Sequence, residues 1–225
     1  MIILFNGPPG TGKDAAADYF KAHGFKHLSF KYQLFKETIK YFAVDEKWFM
    51  DGYKDREEKE RRSALLGHMS RREAMIYVSE QVIKPRKGLD YFGQLVANEI
   101  DLSKNYCISD GGFIDELVPV INKVGSDNFV LVQLTRDGHD YSTYSRRYLD
   151  GNLFHEYINT TKTPVEKKYV LPHKFDVKMY RIHNNGTIGA FYEVLKDIYE
   201  KEFNGKEQYQ KAASSSATNI LRQPV

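Results

Sequence analysis

The segment Asn6-Gly7-Pro8-Pro9-Gly10-Thr11-Gly12-Lys13-Asp14 carries the first residues able to do chemistry. Gly7 and Gly12 bracket four residues ahead of Lys13, the spacing of a phosphate-binding loop. Small residues let successive backbone N–H groups turn inward around phosphate oxygens, and a helix that follows aims its positive end at them. Lys13 would reach the β- and γ-phosphates as a flexible cation. The alternative, a Gly/Pro turn that merely contains a lysine, leaves the flanks unexplained. An apolar run, Ile2 to Phe5, precedes the loop, and Ala15, Ala16, Ala17, Tyr19 and Phe20 follow it in a helical pattern. Gly7, Pro8, Pro9, Gly10, Thr11, Gly12, Lys13 and Asp14 are therefore the ATP-binding candidates. Asp14 stands where Ser or Thr would normally place a hydroxyl on magnesium; its carboxylate offers a hard oxygen instead, directly or through water.

A second carboxylate, Asp110, closes the strand-like run Asn105-Tyr106-Cys107-Ile108-Ser109. An acid at the carboxyl end of a parallel strand lies at the edge where such sheets bind ligands, so Asp110 is a candidate for holding magnesium or orienting an acceptor. The structural alternative is that Asp110 or Asp115 satisfies N–H groups at a helix start. Arg136, Arg146 and Arg147 fall in the polar stretch after Phe129–Leu134 and would act as a lid, stabilising charge on a moving phosphoryl group. His139 receives no role, because phosphoryl transfer asks little acid–base chemistry of the protein.

Candidates for the acceptor side are more dispersed. Lys36 lies near the start of a helical pattern and is either a phosphate ligand or a solvated lysine. Ser70 and Glu73 have capping-box spacing, which puts Arg71 and Arg72 in a first helical turn, where an anionic partner would offset their unfavourable meeting with the helix dipole. Phe92 is a core aromatic or a base-stacking one. In the turn after the last strand candidate, Val177 to Ile182, Asn185 and Gly186 would touch adenine or serve as ordinary turn residues.

The elements that must position these groups alternate. Strand candidates at Ile2–Phe5, His27–Phe30, Asn105–Asp110, Phe129–Leu134 and Val177–Ile182 are each followed by helical spacing or a polar loop. The reading is an α/β fold of the P-loop NTPase type: a three-layer sandwich with a mainly parallel five-stranded sheet plus helical lid and substrate elements. One kinase-like domain would span 1–203, with a helical substrate-binding region at 43–104 and a lid at 136–165. The charged stretch 45–62 reads as a surface helix, Pro85 to Gly88 as a helix break, and 204–225 as a flexible tail without periodicity.

Composition sets outer bounds. The chain has 225 residues and a formal net charge of +3, too weak a bias to advertise nucleic-acid binding. A single cysteine excludes an internal disulfide framework and a cysteine-based zinc cluster, pointing to a reducing, cytoplasmic setting. No segment is apolar enough to span a membrane, and none reads as a signal peptide.

The loop with Gly-Lys-Asp, Phe30 to Glu37, Asp55 to Glu60, Ser70-Arg71-Arg72-Glu73, Ile108-Ser109-Asp110 and a terminal Asn-Gly turn follow one another as in the bacteriophage deoxynucleoside monophosphate kinases, which this chain resembles over most of 1–200. The resemblance implies ATP on Gly7 to Asp14. It also implies that Lys36, Arg71 or Arg72, Phe92, Asp110 and Glu116 face a nucleotide acceptor, in a host cytoplasm if the protein is viral. Those kinases look to carry an arginine where this chain has Gly111-Gly112-Phe113. That departure keeps open phosphorylation of 5-hydroxymethyluracil in DNA. A non-catalytic nucleotide-binding switch is a further alternative, against which stands the lack of an Asn/Thr-Lys-x-Asp guanine-reading motif after a strand. The partner is thus a nucleotide substrate or modified DNA, with no membrane; a homodimer stays open.

Overall fold

The computed structural model describes residues 1–142, 148–149 and 177–204. The chain divides into two compact units, 1–183 and 184–225.

The first unit opens with strand β1 (Ile2–Asn6), helix α1 (Lys13–Ala22), β2 (Lys26–Leu28) and α2 (Phe30–Phe42). Two short helices follow, α3 (Glu46–Lys54) and α4 (Arg56–Glu60), then the antiparallel pair β3 (Arg62–Ser63) and β4 (Met69–Ser70). Next come α5 (Arg71–Tyr77), α6 (Lys84–Lys87), α7 (Tyr91–Asn98), β5 (Tyr106–Ile108), α8 (Ile114–Val124), β6 (Phe129–Thr135) and β7 (Lys178–His183).

Five of the strands form one sheet in the order β2-β5-β1-β6-β7, and every neighbouring pair is parallel. Buried on both faces, β1, β5 and β6 read as continuous apolar runs. The two-residue alternation of a strand divides their side chains. Ile2, Leu4, Tyr106, Ile108, Phe129 and Leu131 pack with Val96 and Ala97 of α7 and with Leu117 and Ile121 of α8. On the opposite face Phe5 meets Phe20 of α1 at 5.6 Å between ring centroids, and the Cys107 thiol donates to the Ala17 carbonyl at 3.6 Å. Helices therefore cover both faces, as the α/β reading requires.

Three local expectations are refined. The second strand ends at Leu28 because Ser29 leaves it to cap α2, its hydroxyl accepting from the Tyr32 N–H at 3.0 Å. The charged stretch is two helices rather than one: Asp55, extended in backbone, accepts from the N–H groups of Glu57 and Glu58 at 2.9 Å each and starts α4 afresh. Pro85 does not break its helix. A wide π-helical turn over Val78–Ile83 joins α5 to α6, and Pro85 falls in the first turn of α6, where a missing N–H costs little. The break comes at Gly88, with φ of 101°. The capping box is present as expected: the Glu73 N–H donates to Ser70 Oγ at 3.1 Å and the Ser70 N–H to Glu73 Oε2 at 2.8 Å.

In the second unit, Thr187 caps helix α9 (Ile188–Tyr199), its hydroxyl accepting from the Ala190 N–H at 3.2 Å, and a wide turn over Glu200–Asn204 follows. No helix among the described residues is long and apolar enough to cross a membrane.

Two measurements test this packing. Gly93 lets α7 lie directly on the start of α8: a β-carbon there would stand 2.3 Å from the Glu116 carbonyl oxygen, a backbone atom that has no room to yield. Gly93→Ala should lower the unfolding free energy by about 1–3 kcal/mol in urea titrations. Burial pushes the Cys107 thiol up to about 11, so iodoacetamide at pH 8 should leave it unlabelled in the native protein and label it readily in urea.

Candidate active site

The loop between β1 and α1 owes its path to three glycines. Gly7 lies so close to β6 that a β-carbon would stand 2.5 Å from the Leu134 carbonyl oxygen. Gly10 and Gly12 adopt φ of 85° and 102°, the left-handed region that side chains disfavour. Within the loop, Thr11 Oγ1 donates to the Pro8 carbonyl at 2.9 Å, and Lys13 Nζ donates to the same oxygen at 2.7 Å. The lysine is thus folded back over the loop it would serve. Helix α1 starts at Lys13 with no side-chain cap, so its first N–H groups open toward the loop, as anion binding at a helix start requires.

The turn after β6 closes against this loop. Arg136 and His139 pair across a tight turn in which Gly138 has φ of 73° and the His139 N–H donates to the Arg136 carbonyl at 3.1 Å. The Arg136 guanidinium donates to the Gly10 carbonyl at 3.3 Å, and the His139 ring lies where a β-carbon on Gly10 would be, 2.3 Å from its Cε1. His139, without an assigned role from the sequence, is therefore a neighbour of the loop. Arg146 and Arg147, and most of the lid stretch, lie outside the described residues.

A cleft of about 840 Å³ extends from the loop, lined by Gly12, Lys13 and Asp14 of the loop and α1, by Ser29, Lys31 and Tyr32 at the start of α2, and by Asp110. Asp110 is buried at the end of β5 and acts on the start of α2: Oδ2 accepts from Ser29 Oγ at 2.6 Å and the Lys31 N–H at 2.8 Å, and Oδ1 accepts from the Phe30 N–H at 3.2 Å. The helix-start alternative is thus realised, but on the helix after β2 rather than on the one that follows Asp110 in sequence. Its place in the cleft is realised as well. Asp14 and Asp110 put two hard carboxylates in the cleft that holds the loop, a donor set that fits magnesium once nucleotide phosphates and water complete the shell. Among the described residues no cluster of three metal-ligating side chains exists, so the protein alone does not make a cage.

The acceptor candidates separate. Lys36 pairs with Glu99 at 3.1 Å, and Glu99 lines the cleft. Arg71 is only 3% exposed: its guanidinium donates to the main-chain carbonyls of Glu58 at 2.8 Å and Trp48 at 3.3 Å and lies 4.2 Å over the Trp48 ring. Gly52 makes the room, since a β-carbon there would fall 2.1 Å from Arg71 Cζ. Arg71 thus ties α3, α4 and α5 together. Arg72, on the outside of α5, pairs with Glu60 at 3.7 Å. Phe92 is core, packed with Val78, Val82 and Ile83. Glu116 is buried in the first turn of α8. Asn185 and Gly186 belong to the second unit, just ahead of the α9 cap.

Gly111 has a packing cause. A β-carbon on Gly111 would stand 2.6 Å from Leu4 Cδ1, and the Gly111 carbonyl accepts from Asn6 Nδ2 at 3.3 Å. Asn6 also accepts from the Leu149 N–H at 2.8 Å, while Gln133 donates to the Leu149 carbonyl and accepts from Arg181 Nε at 3.0 Å. These buried amides fix the strand ends beside the loop. Sequence reasoning missed them and missed Lys31, Gly52 and Tyr32; the one signal available was Gly52 inside a helical pattern, where glycine costs about 1 kcal/mol and marks a close approach.

Arg71→Ala should cost about 3–5 kcal/mol of stability, because it strips a buried site of its charge and two carbonyls of their donor, whereas Arg72→Ala should stay within about 0.5 kcal/mol. Urea midpoints of the two variants decide this.

No protein-family model matches the chain, and no curated protein does. Among solved structures it is similar to one named a "putative kinase" from Chloroflexus aurantiacus J-10-fl, at 9% identity and a TM-score of 0.38, over 90% of this chain and 97% of that one.

Proposed function

We propose that the protein is an ATP-dependent phosphotransferase that converts a deoxynucleoside monophosphate to the diphosphate. The observation that carries this reading is the strand–loop–helix arrangement of Gly7 to Lys13, with the Lys13 ammonium over the loop and the first N–H groups of α1 open toward it, at one end of a cleft large enough for two ligands. Such a loop at the carboxyl edge of a parallel sheet suits a triphosphate.

In the reaction, an oxygen of the acceptor phosphate bonds to the γ-phosphorus while the bond to the β–γ bridging oxygen breaks, and ADP leaves with that oxygen. The chain's own groups position and neutralise. Loop N–H groups and Lys13 hold the β- and γ-phosphates; Arg136, fastened to the Gly10 carbonyl, sets a further positive charge beside them. Asp110 holds the start of α2, and with it Lys31 and Tyr32, against the acceptor end of the cleft. Magnesium, when bound through Asp14 and Asp110, spreads the negative charge of the phosphates.

Purified protein incubated with magnesium, ATP and each of the four deoxynucleoside monophosphates should yield diphosphates, and Lys13→Ala should lower turnover by about 10²–10³-fold or more. No product from any monophosphate, with label entering DNA that contains 5-hydroxymethyluracil, would reassign the acceptor. Tight ATP binding without product in either assay would reassign the chain to a nucleotide-binding switch.

A further inference from the structure

Most cations of the helical region are already matched. Lys36 pairs with Glu99, Lys47 with Asp51, Arg61 with Glu58, Arg62 with Glu73 and Arg72 with Glu60. Lys31 and Lys59 are different: among the described residues neither ammonium has a carboxylate within 4.0 Å, and both converge on one aromatic ring. Lys59 Nζ is 4.7 Å and Lys31 Nζ 5.9 Å from the centroid of Tyr53. Lys31 comes from the first turn of α2 and lines the cleft; Lys59 comes from α4 and Tyr53 from α3. Two half-buried ammonium groups over one ring attract its π face but repel each other.

We infer that Lys31 and Lys59, over the Tyr53 ring, form the anion site that grips the phosphate of the acceptor nucleotide, in place of the arginines that the sequence points to. The inference rests on the phosphotransferase reading and deepens it by assigning the acceptor's charged end. Arg71 is spent on main-chain carbonyls, and Arg72 shares its charge with Glu60. A phosphate monoester, with three oxygens and close to two negative charges, would meet both ammonium groups at once and relieve their repulsion. Lys59 is already held below the ordinary lysine value by partial burial and then by the neighbouring cations Arg72, Lys31 and Arg56, with Glu60 opposing. An anion at this place would return it toward the ordinary value. The site selects an acceptor that carries its own phosphate and gives no grip to a bare nucleoside.

The test is a kinetic split with a chemical footprint. Lys59→Gln and Lys31→Gln should each raise the KM for the deoxynucleoside monophosphate by about ten-fold or more while the KM for ATP moves less than about two-fold. Lys59→Arg should recover most of the loss, and Lys47→Gln, on the neighbouring helix, should change neither constant. Unchanged urea midpoints would separate these effects from misfolding. In the wild type, Lys59 should react with an acylating reagent at pH 8 faster than Lys47, because its neutral fraction is larger, and thymidine or deoxyguanosine monophosphate should slow that reaction where the nucleosides do not. Diphosphate formed normally by both glutamine variants, or equal rises in both KM values, overturns the anion site and leaves the phosphotransferase reading standing. Absence of product in the wild type counts against that reading instead. Calorimetry with monophosphate and no ATP then judges the site alone, binding that Lys59→Gln weakens supporting it and absence of binding overturning it. Protection of Lys59 by single-stranded DNA but by no free monophosphate also overturns it.

Discussion

The carboxylate of Asp110 is the constraint around which the cleft is arranged. It lies two residues past the end of β5, yet all three of its described hydrogen bonds run to Ser29, Phe30 and Lys31 at the start of α2. A helix start carries unsatisfied N–H groups and partial positive charge, so an ionised acid placed there satisfies donors and interacts with the dipole together. The consequence is positional. Lys31 and its neighbour Tyr32 are held at the wall of the cleft rather than left to the drift of a connecting segment.

The other wall is fixed by the sheet itself. Gly7, Asp110 and Arg136 follow β1, β5 and β6, three adjacent strands in parallel register with β1 in the middle. A slip of one residue in any of them would exchange its two faces and set side chains shaped for one helical layer against the other, so the hydrophobic core enforces the relative height of the strand ends. Asn6 and Gln133 add buried polar ties at those same ends, where an unsatisfied amide would be costly. Precision at the loop is thus inherited from apolar packing several residues away, on both faces of the sheet.

What was legible in the sequence was what is local in it. The five strands, the phosphate-loop spacing and the Ser70–Glu73 capping box are encoded within a few residues of where they act, so periodicity and turn chemistry found them. The rest depends on distant partners. By its spacing Arg71 is a first-turn cation seeking an anion, but carbonyls of Trp48 and Glu58 and the gap at Gly52 capture it, and no spacing rule links those positions. Asp110 reads as a strand-end acid, while its cap on α2 bridges some eighty positions of chain. Pro85 misled because a helix break is the local expectation, whereas the wide turn before it lets the helix continue. Lys31 and Lys59 were invisible because each is an ordinary lysine in an ordinary charged stretch until Tyr53 brings them together.

Trp48 is the chain's single tryptophan, and the Arg71 guanidinium covers its face. A cation on an indole ring alters the ring's electronic surroundings, so the tryptophan emission of this protein comes from one place: the seam where α5 meets α3. Its emission therefore reports on the joining of the helical region rather than on the sheet, which gives that part of the first unit an optical signature of its own as the protein unfolds.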